Sequence, residues 1–373
     1  MAKKPLRIAL AHEYLTRRGG AERVLHRIAG LYPETPIYTL LKNDKIAKED
    51  FKGHTVYGSF LEKFPGFLRR RVKYLSPFCP TAAESIDLSK YDVVISSSNS
   101  FIKGVVTKPQ TLHITYCHAP TNFAWDVFHD YVHDQKKGPL MSFGIKFLAH
   151  YIRQWDRQAA DRVDYYIANS KLTQKRIKKF YRKDSQVIYP PVDTKRFKPQ
   201  KKHDNYFLIV SQLTPYKRID IAIQAFNRLN LPLVIVGDGA DRKRLEKMAG
   251  DNVTFTGFLP DEEVVKYYEN CRGFIFAGSD DFGIAPVEAM AAGKPVLALR
   301  EGGALETIIE GETGEFFDSP IVELLADGVR RLIENEANYD AKKISKHASQ
   351  FSQERFDKEF QKFVGSKIQQ DLQ

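Results

Sequence analysis

The sequence predicts an α/β protein made of two doubly wound domains with parallel sheets, and three observations support this fold class. The chain has 373 residues, which is the length of two domains of ordinary size. Strand-like and helix-like patterns alternate along both halves, as expected for parallel sheets covered by helices on both faces. Hydrophobic residues make up 43% and charged residues 28% of the chain, which is typical of a globular protein with buried cores.

Each predicted element follows from its residue pattern and its boundary signals. In the first half, strands are predicted at residues 6–10, 91–95, 112–116, 165–168 and 186–189, and helices at residues 21–31 and 171–181. In the second half, strands are predicted at residues 206–210, 233–236, 253–255, 273–277 and 295–298, and helices at residues 218–229, 241–248, 261–270 and 287–292. Ligands of such sheets bind beyond the carboxyl ends of the strands, so two domains facing each other across a cleft are expected to share one site.

A pair of prolines marks the domain boundary. Pro190 and Pro191 resist both helix and central strand, and the polar residues 195–202 that follow are interpreted as a linker. The predicted domains are residues 1–193, residues 194–350 and a C-terminal helix over residues 351–373 that could return to the first domain.

Charge is distributed unevenly between the halves. Residues 1–200 contain 35 lysines and arginines against 18 acidic residues, a net charge of +17, whereas the remaining residues carry −6. A basic half that faces anionic lipid, phosphate or nucleic acid is the functional interpretation, and uneven scatter of solvated cations is the alternative. Residues 64–75 and 171–183 place aromatic residues beside cations, which fits a peripheral membrane surface, and the sequence shows no nucleic-acid recognition motif.

Other sequence features argue against several protein classes. No apolar run approaches the roughly 20 residues that span a bilayer, and the apolar residues 6–11 are too few for a secretory segment. Three scattered cysteines, Cys79, Cys117 and Cys271, show no metal-ligand spacing and fit a reducing cytosol. No G-x-G-x-x-G sequence opens either domain, which argues against a nicotinamide-dependent dehydrogenase.

Residues 279–290 carry the clearest site chemistry. They leave a predicted strand through a tight loop and enter a helix, so amide N–H groups at residues 283–287 would face an anion such as a diphosphate. Asp280 and Glu288 lie eight positions apart, and carboxylates accept the paired hydroxyl groups of a sugar or ribose. For Glu288, the alternative is a first-turn acid that only complements the helix dipole.

Cations and glycines follow or precede other predicted elements. Lys217 and Arg218 open a helix and could clamp phosphates, and a solvated helix start is the equal alternative. Gly237 after an apolar strand, and Gly19 and Gly20 before a helix, are weak signals for close backbone approach to a phosphate.

Histidines are the third kind of candidate. His118 follows a predicted strand, where sites gather, and a structural histidine is the equal alternative. His129 and His133 have the i, i+4 spacing of metal ligands but lack a partner ligand, so no metal site is predicted.

Together, these motifs resemble glycosyltransferase family 4, retaining enzymes with the two-domain GT-B fold. Residues 279–295 resemble its E-x-x-x-x-x-x-x-E segment, and further similar segments lie at residues 19–22, 116–126, 156–181 and 189–193. Their joint order along the chain is far more specific than any one of them. Within the family, the sequence is most similar to bacterial GDP-mannose-dependent mannosyltransferases that build lipid-linked surface polysaccharide.

The resemblance implies a role for each matching residue. Glu288 would hold the donor ribose, and Asp280 would contact hydroxyl groups of the transferred sugar. Lys217 would neutralise the leaving diphosphate, Gly20 would approach it from the other domain, and His118 would hydrogen-bond the donor sugar. The other residues predicted to contact the donor or its base are Gly19, Arg218, Gly237, Phe258, Leu259, Phe282, Gly283, Ile284 and Ala285.

The sequence departs from the family pattern at two positions. The first acid of the segment is usually glutamate, whereas Asp280 is one methylene shorter and has Asp281 beside it. The family's arginine before the lysine falls on Gln212, which carries no charge to offset a phosphate. Arg218 is the expected substitute.

The resemblance thus implies a retaining hexosyltransferase that moves mannose from GDP-mannose to a lipid-linked saccharide or similar acceptor. Cations and helix ends would stabilise the leaving diphosphate, so no metal or other cofactor is expected. The expected location is the cytoplasm, peripheral to the inner face of the cell membrane and in contact with anionic lipid. Three alternatives stay open: a UDP-sugar-dependent enzyme of the same fold, a nucleotide-sugar epimerase and a non-catalytic basic nucleic-acid-binding protein.

Overall fold

The computed structural model describes residues 5–69, 71–126, 128 and 139–372 of the chain. It divides into two compact units, one formed by Met1–Tyr189 with Asp357–Gln373 and the other by Pro190–Phe356. The predicted boundary lies four residues later. Residues 351–373 were predicted as one piece, whereas residues 351–356 belong to the second unit. His129 and His133, for which no metal site is predicted, lie outside the described residues.

The first unit is built on a parallel sheet of seven strands, counted among the described residues. The strands are β1 (Ile8–Leu15), β2 (Ile37–Lys42), β3 (Val56–Gly58), β4 (Val93–Ser98), β5 (Leu112–Cys117), β6 (Tyr165–Ala168) and β7 (Ser185–Val187). Their order across the sheet is β3-β2-β1-β4-β5-β6-β7. The chain therefore runs outward in one direction from β1 and in the other from β4, and such a reversal is where doubly wound sheets bind ligands.

The helices of the first unit alternate with its strands, which is typical of sheets covered on both faces. They are α1 (Gly20–Leu31), α2 (Asp44–Asp50), α3 (Gly66–Arg69), α4 (Cys79–Glu84), α5 (Pro139–Ala160) and α6 (Lys171–Arg176), and α6 continues into a π-helical turn at Ile177–Tyr181. The predicted face of α1 is the buried one, because Val24, Leu25 and Ile28 pack into the core.

The first strand is longer than its apolar residues suggest. The sequence analysis ends it at residue 10, whereas β1 continues to Leu15 through two buried polar residues, His12 and Glu13. The Glu13 carboxylate accepts hydrogen bonds from the amides of Ser100, Phe101 and Ile102 at 3.3, 2.6 and 3.2 Å. These bonds replace water around the buried carboxylate, which is why a charged residue can continue a central strand.

Asp156 on α5 gathers the buried polar groups of the same unit. Its carboxylate accepts hydrogen bonds from Nζ of Lys103 at 2.5 Å, Oγ1 of Thr121 at 2.6 Å, Nε1 of Trp125 at 2.7 Å and the Tyr181 hydroxyl at 2.9 Å. Lys103 and Asp156 are both buried. These donors lie on three segments of the chain, since Thr121 and Trp125 share the loop after β5. Asp156 thus connects that loop to Lys103 and to the π-helical turn.

The second unit repeats the same topology with six parallel strands in the described chain. The strands are β8 (Phe207–Val210), β9 (Leu233–Val236), β10 (Val253–Gly257), β11 (Gly273–Phe276), β12 (Val296–Leu299) and β13 (Gly314–Phe317), in the order β10-β9-β8-β11-β12-β13. The strand order reverses between β8 and β11. The predicted fold class, two doubly wound α/β domains, is confirmed.

The remaining helices belong to the second unit, except that the last one is shared. They are α7 (Ile219–Leu229), α8 (Arg242–Glu246), α9 (Asp261–Asn270), α10 (Ile284–Ala291), α11 (Ala304–Thr307), α12 (Val322–Glu334), α13 (Ala341–Ala348) and α14 (Gln353–Leu372). From Asp357 onward, α14 lies in the first unit. There Asp357 pairs with Arg27 of α1, and Phe360 and Val364 are buried. Over the described residues, every helix is too short or too polar to cross a membrane.

The interpretation of residues 195–202 as a linker is wrong. Val192 bridges to Ser352, Phe197 is buried, and the amide of Lys198 donates to the Glu269 carboxylate at 2.7 Å. Arg196 pairs with Asp261 on α9 at 3.0 Å. The segment looked like a linker because its polar side chains find their partners far along the sequence.

Candidate functional site

The carboxyl ends of β8 and β11 bring a lysine and an aspartate together. Lys217 closes a 3₁₀ turn, Pro215–Lys217, that follows β8, and Asp280 lies in the loop after β11. Nζ of Lys217 lies 2.5 Å from both carboxylate oxygens of Asp280. The two side chains are 14% and 28% exposed. The pair is thus accessible to a ligand at the point where the strand order of this unit reverses.

Close backbone packing holds this ion pair in place. A Cβ atom at Gly278 would lie 2.8 Å from Cα of Lys217, so no larger residue fits between the two loops. The aromatic rings of Tyr216 and Phe276 lie 5.2 and 5.8 Å from Nζ, which keeps the cation over apolar surface. A residue larger than glycine at position 278 would therefore displace one of the two loops that carry Lys217 and Asp280.

Glu288 lies on the next helix, α10, and is held by two partners. It is the fifth residue of α10, so the interpretation as a first-turn acid that complements the dipole is wrong. Its side chain is buried; Oε1 pairs with the Arg196 guanidinium, and Oε2 accepts from the Tyr268 hydroxyl at 3.1 Å. Sequence reasoning missed Arg196, because 92 positions separate it from Glu288 and no local pattern connects them.

The loop before α10 offers backbone groups rather than side chains. Gly283 precedes the helix, and α10 begins at Ile284. The first amide N–H groups of a helix, here those of Ile284 and Ala285, have no carbonyl within the helix to bond. Phe282 is buried and packs edge-on against Phe351, with 5.5 Å between ring centroids. Its side chain is thus part of the core and does not face a ligand.

Arg218 has partners outside the ion pair. It is the N-cap of α7, in the left-handed region at φ +50°, and its guanidinium donates to the Pro320 carbonyl at 3.2 Å. Its Nε lies 3.5 Å from the Asp220 carboxylate. Gln212, where the family has arginine, is exposed in the preceding loop.

The other predicted donor contacts of this unit lie in two loops. The amide of Gly237 donates to the Gly257 carbonyl at 2.9 Å, and a Cβ at Gly237 would lie 2.0 Å from the Ser211 carbonyl oxygen. Packing between loops therefore requires glycine at position 237 whether or not a phosphate binds. Phe258 is 76% exposed and Leu259 is half-buried in the loop after β10, where a planar base would find an apolar surface.

Three candidates lie in the first unit. Gly19 is the N-cap of α1 and Gly20 its first residue, as expected for a glycine turn that opens a helix. His118 directly follows β5; its amide donates to the Ser98 carbonyl at 2.9 Å, and Nε2 lies 2.8 Å from the Ser97 hydroxyl. Burial lowers the pKa of His118 to about 3. It is thus a neutral hydrogen-bonding group at physiological pH.

The structure brings together some of these candidates. Lys217 and Asp280 are in direct contact, and Glu288 follows on the helix that the Asp280 loop enters. Arg218 and the glycine turn at Gly237 bond elsewhere. No group of three histidine, cysteine or acidic side chains within the described chain is arranged to hold a metal ion.

Comparisons with known proteins agree with this architecture. A family model described as "Glycosyltransferase Family 4" matches residues 18–196, and one described as "Glycosyl transferases group 1" matches residues 191–351. The crystal structure of Anabaena HepE in complex with UDP superposes with a TM-score of 0.72 at 19% identity, over 96% of this chain and 100% of that chain. A likeness at this identity shows the fold.

Curated relatives are similar over shorter stretches. The GDP-mannose-dependent alpha-(1-6)-phosphatidylinositol monomannoside mannosyltransferase of Mycolicibacterium smegmatis is 33% identical over 174 residues, 39% of this chain and 46% of that protein. The protein of the same name from Mycobacterium tuberculosis is 31% identical over 209 residues, 48% of this chain and 54% of that protein. The chain spans about half the length of these relatives. The two family models together cover residues 18–351, so the chain is a glycosyltransferase with a family 4 domain followed by a group 1 domain.

Proposed function

We propose that the chain is a retaining hexosyltransferase that takes its sugar from a nucleoside diphosphate, with GDP-mannose as the donor. The observation that carries the proposal is the accessible Lys217–Asp280 ion pair at the strand-order reversal of the second unit. Breaking the bond between sugar and diphosphate leaves negative charge on the phosphate and positive charge on the sugar. A lysine cation and the amides that begin α10 stabilise the first charge, and a carboxylate accepts hydrogen bonds from the sugar.

The ion pair has a direct consequence for donor binding. Nζ of Lys217 is bonded to both oxygens of Asp280. A diphosphate that binds Lys217 must compete with this carboxylate, and the carboxylate it releases becomes free to accept sugar hydroxyl groups. Binding of the phosphate and recognition of the sugar are coupled in this scheme, because they use the two halves of one ion pair.

Glu288 completes the donor site in this proposal by accepting the ribose hydroxyl groups. Its two oxygens are already oriented by Arg196 and Tyr268, and a carboxylate oxygen accepts more than one hydrogen bond. The apolar surface of Phe258 and Leu259 would stack against the base. Because Lys217 and the α10 amides offset the diphosphate charge, we expect transfer to continue in the presence of a metal chelator.

Mannose and a lipid-linked acceptor are supported by the relatives. Both mycobacterial proteins are named for GDP-mannose and for a phosphatidylinositol mannoside acceptor. HepE, by contrast, was solved with UDP, which keeps a UDP-sugar as the second candidate donor.

Exposed aromatic residues of the first unit support contact with an anionic membrane. On α5, Phe143, Phe147 and Tyr151 are exposed and recur every four residues, which places them on one helix face. Phe67 and Tyr74 are also exposed, and the excess positive charge of residues 1–200 suits anionic lipid. We expect Phe143→Ser with Phe147→Ser to reduce co-sedimentation with phosphatidylglycerol vesicles; unchanged co-sedimentation would reject this surface.

A panel of nucleotides and nucleotide sugars tests the donor. A ligand present at 100 times its dissociation constant adds about 2.7 kcal/mol to the free energy of unfolding, which a thermal-shift measurement detects. We expect GDP and GDP-mannose to stabilise the protein more than UDP and UDP-glucose, and Glu288→Gln to weaken stabilisation by GDP. Stabilisation by UDP compounds alone would select the second donor. Release of an altered free sugar without acceptor would indicate an epimerase instead.

A further inference from the structure

The strand-order reversal of the first unit holds a chain of three buried polar side chains. His12 of β1 is paired in register with Ser97 on β4, and His118 directly follows β5. The Ser97 hydroxyl oxygen lies 3.1 Å from Nδ1 of His12 and 2.8 Å from Nε2 of His118. The three residues are 0%, 1% and 8% exposed, so water competes little for these hydrogen bonds.

Both histidines of this chain are neutral at physiological pH. Burial lowers the pKa of His12 to about 4 and that of His118 to about 3. A neutral imidazole donates through one nitrogen and accepts through the other. The Ser97 hydroxyl has a single proton, so a continuous chain requires that it accept from one histidine and donate to the other.

A nitrogen without a partner sets the direction of the chain. Nε2 of His12 is buried, and within the described residues it has no hydrogen-bond partner. Buried N–H groups without a partner are rarer than buried acceptors without one, so Nε2 is the unprotonated nitrogen and the proton lies on Nδ1. His12 therefore donates to Ser97, and Ser97 donates to Nε2 of His118. The proton of His118 then lies on Nδ1.

We propose that His12 and Ser97 are positioning residues that fix His118 as the neutral Nδ1–H tautomer. Nδ1 then donates a hydrogen bond to an oxygen of the bound sugar, and His118 does not take up a proton during the reaction. The contact with the sugar rests on the proposed function, whereas the tautomer follows from the first unit alone. A fixed donor direction needs no reorganisation when the sugar binds, which is how preorganised polar groups stabilise a transition state.

The neighbouring residue Ser96 provides a matched control. Its hydroxyl lies 2.9 Å from Nε2 of His113 and 2.7 Å from Oγ1 of Thr115, and all three side chains are buried. Successive residues of a strand point to opposite faces of the sheet, so Ser96 and Ser97 serve different histidines. Ser96→Ala thus removes the same chemical group from the same strand without touching the chain to His118.

The first experiment reads the tautomer directly by ¹⁵N NMR of the full chain labelled in its histidine rings. We expect His118 to show a protonated Nδ1 and a hydrogen-bonded, unprotonated Nε2. Ser97→Ala should shift the Nε2 signal and mix the tautomers, whereas Ser96→Ala should leave His118 unchanged. A wild-type His118 protonated on Nε2, or on both nitrogens at pH 7, overturns the proposal whatever the enzyme does.

The second experiment measures sugar transfer. Ser97→Ala and His12→Leu should lower kcat about 10-fold with less than a twofold change in KM for the donor, the size expected for one lost hydrogen bond. Ser97→Thr and His12→Asn keep a hydroxyl and an N–H donor in place and should restore kcat to within about threefold of the wild-type value. These two variants also guard against loss of folding, which tryptophan fluorescence monitors.

Two outcomes separate this inference from the function on which it rests. If the tautomer changes in Ser97→Ala but kcat does not, the sugar contact of His118 is wrong although the donor assignment stands. If no nucleotide sugar is bound or used, the proposed function fails and the sugar contact fails with it, while NMR still decides the tautomer.

Discussion

At the strand-order reversal of the first unit, between β1 and β4, lie three neutral and buried side chains. At the corresponding reversal of the second unit, between β8 and β11, Lys217 and Asp280 form an ion pair that solvent and ligands can reach. The two sheets share one topology, and doubly wound sheets bind ligands at such a reversal. The residues at the two reversals differ in charge. Under the proposed function, the ion pair suits a diphosphate, and the neutral, fixed donor suits a sugar hydroxyl.

Substitutions of Lys217 and Asp280 are expected to have the largest effect on activity, and they test this comparison of the two reversals. We expect Lys217→Ala to lower kcat about 1,000-fold and to weaken GDP binding, because in the proposed reaction it removes the cation that would face the leaving phosphate. Asp280→Asn should lower transfer as well but leave GDP binding unchanged or tighter, since Lys217 then has no competing carboxylate. Isothermal titration with GDP and a transfer assay measure both effects.

The control for these variants is Lys243→Ala on α8, which removes an exposed lysine of the same unit. It should leave both GDP binding and transfer near the wild-type values. Weaker GDP binding in both Lys217→Ala and Asp280→Asn would contradict the idea that phosphate and carboxylate compete for one cation.

In the first unit, the buried ion pair of Asp156 and Lys103 is expected to stabilise the fold. We expect Asp156→Ala to lower the free energy of unfolding of that unit by about 3 kcal/mol or more, because Lys103 would be left buried without its partner. Both tryptophans, Trp125 and Trp155, lie in the first unit, so tryptophan fluorescence during urea unfolding reports on it alone.

Asp161 provides the matched control for Asp156. It lies at the end of the same helical segment and forms an exposed i, i+4 pair with Arg157. Asp161→Ala should cost no more than about 0.5 kcal/mol. Equal effects of the two variants would mean that burial does not distinguish these ion pairs.

Acid should destabilise the first unit before the second. Burial lowers the pKa of His12 and His113 to about 4 and that of His118 to about 3, whereas these histidines titrate near 6.5 when unfolded. Between those values the unfolded chain binds more protons, so stability is complete above pH 6.5 and falls as the pH decreases. The expected slope is up to about 1.4 kcal/mol per pH unit for each histidine.

This pH dependence is measured by urea unfolding followed through tryptophan fluorescence between pH 7 and pH 5. His118→Asn removes one of the three titrating groups and should flatten the slope. In the second unit, the histidines that the structure describes, His203 and His347, are partly exposed. A first unit whose stability does not change over this range would show that the histidines are charged or hydrated when folded.

The smallest effect is expected at Arg218. Its guanidinium bonds to Pro320 and lies beside Asp220, so Arg218→Ala should lower kcat by no more than about threefold, with the donor KM unchanged. Gln212→Arg, which installs the family's cation, should strengthen GDP binding. A loss of transfer in Arg218→Ala as large as that in Lys217→Ala would instead establish Arg218 as the substitute for the missing arginine.

The sequence predicts best what depends on local pattern. Strands such as Tyr165–Ala168 and Leu233–Val236 and the helix Asp261–Asn270 have the predicted bounds, because apolar runs and turn residues define them locally. The loop carrying Asp280 and the turn carrying Lys217 also follow predicted strands. Their contact was not predicted, since it depends on which strands are neighbours in the sheet.

Sequence reasoning fails where a polar residue is satisfied at long range. The predicted first strand stopped at residue 10 and left out Glu13, whose carboxylate is satisfied by donors 87 to 89 positions away. Arg196 looked like part of a linker for the same reason. No sequence pattern indicated the contacts of the Ser97 hydroxyl, because serine is common at strand ends and the two histidines that it joins are distant in sequence.

The division of α14 between the units has a consequence for synthesis of the protein. Residues 357–372 contribute Phe360 and Val364 to the interior of the first unit, and Asp357 pairs there with Arg27. While the chain emerges from the ribosome, the second unit can therefore complete its core before the first can. The first unit is translated first but would complete its fold last, after residues 357–372 have been synthesised.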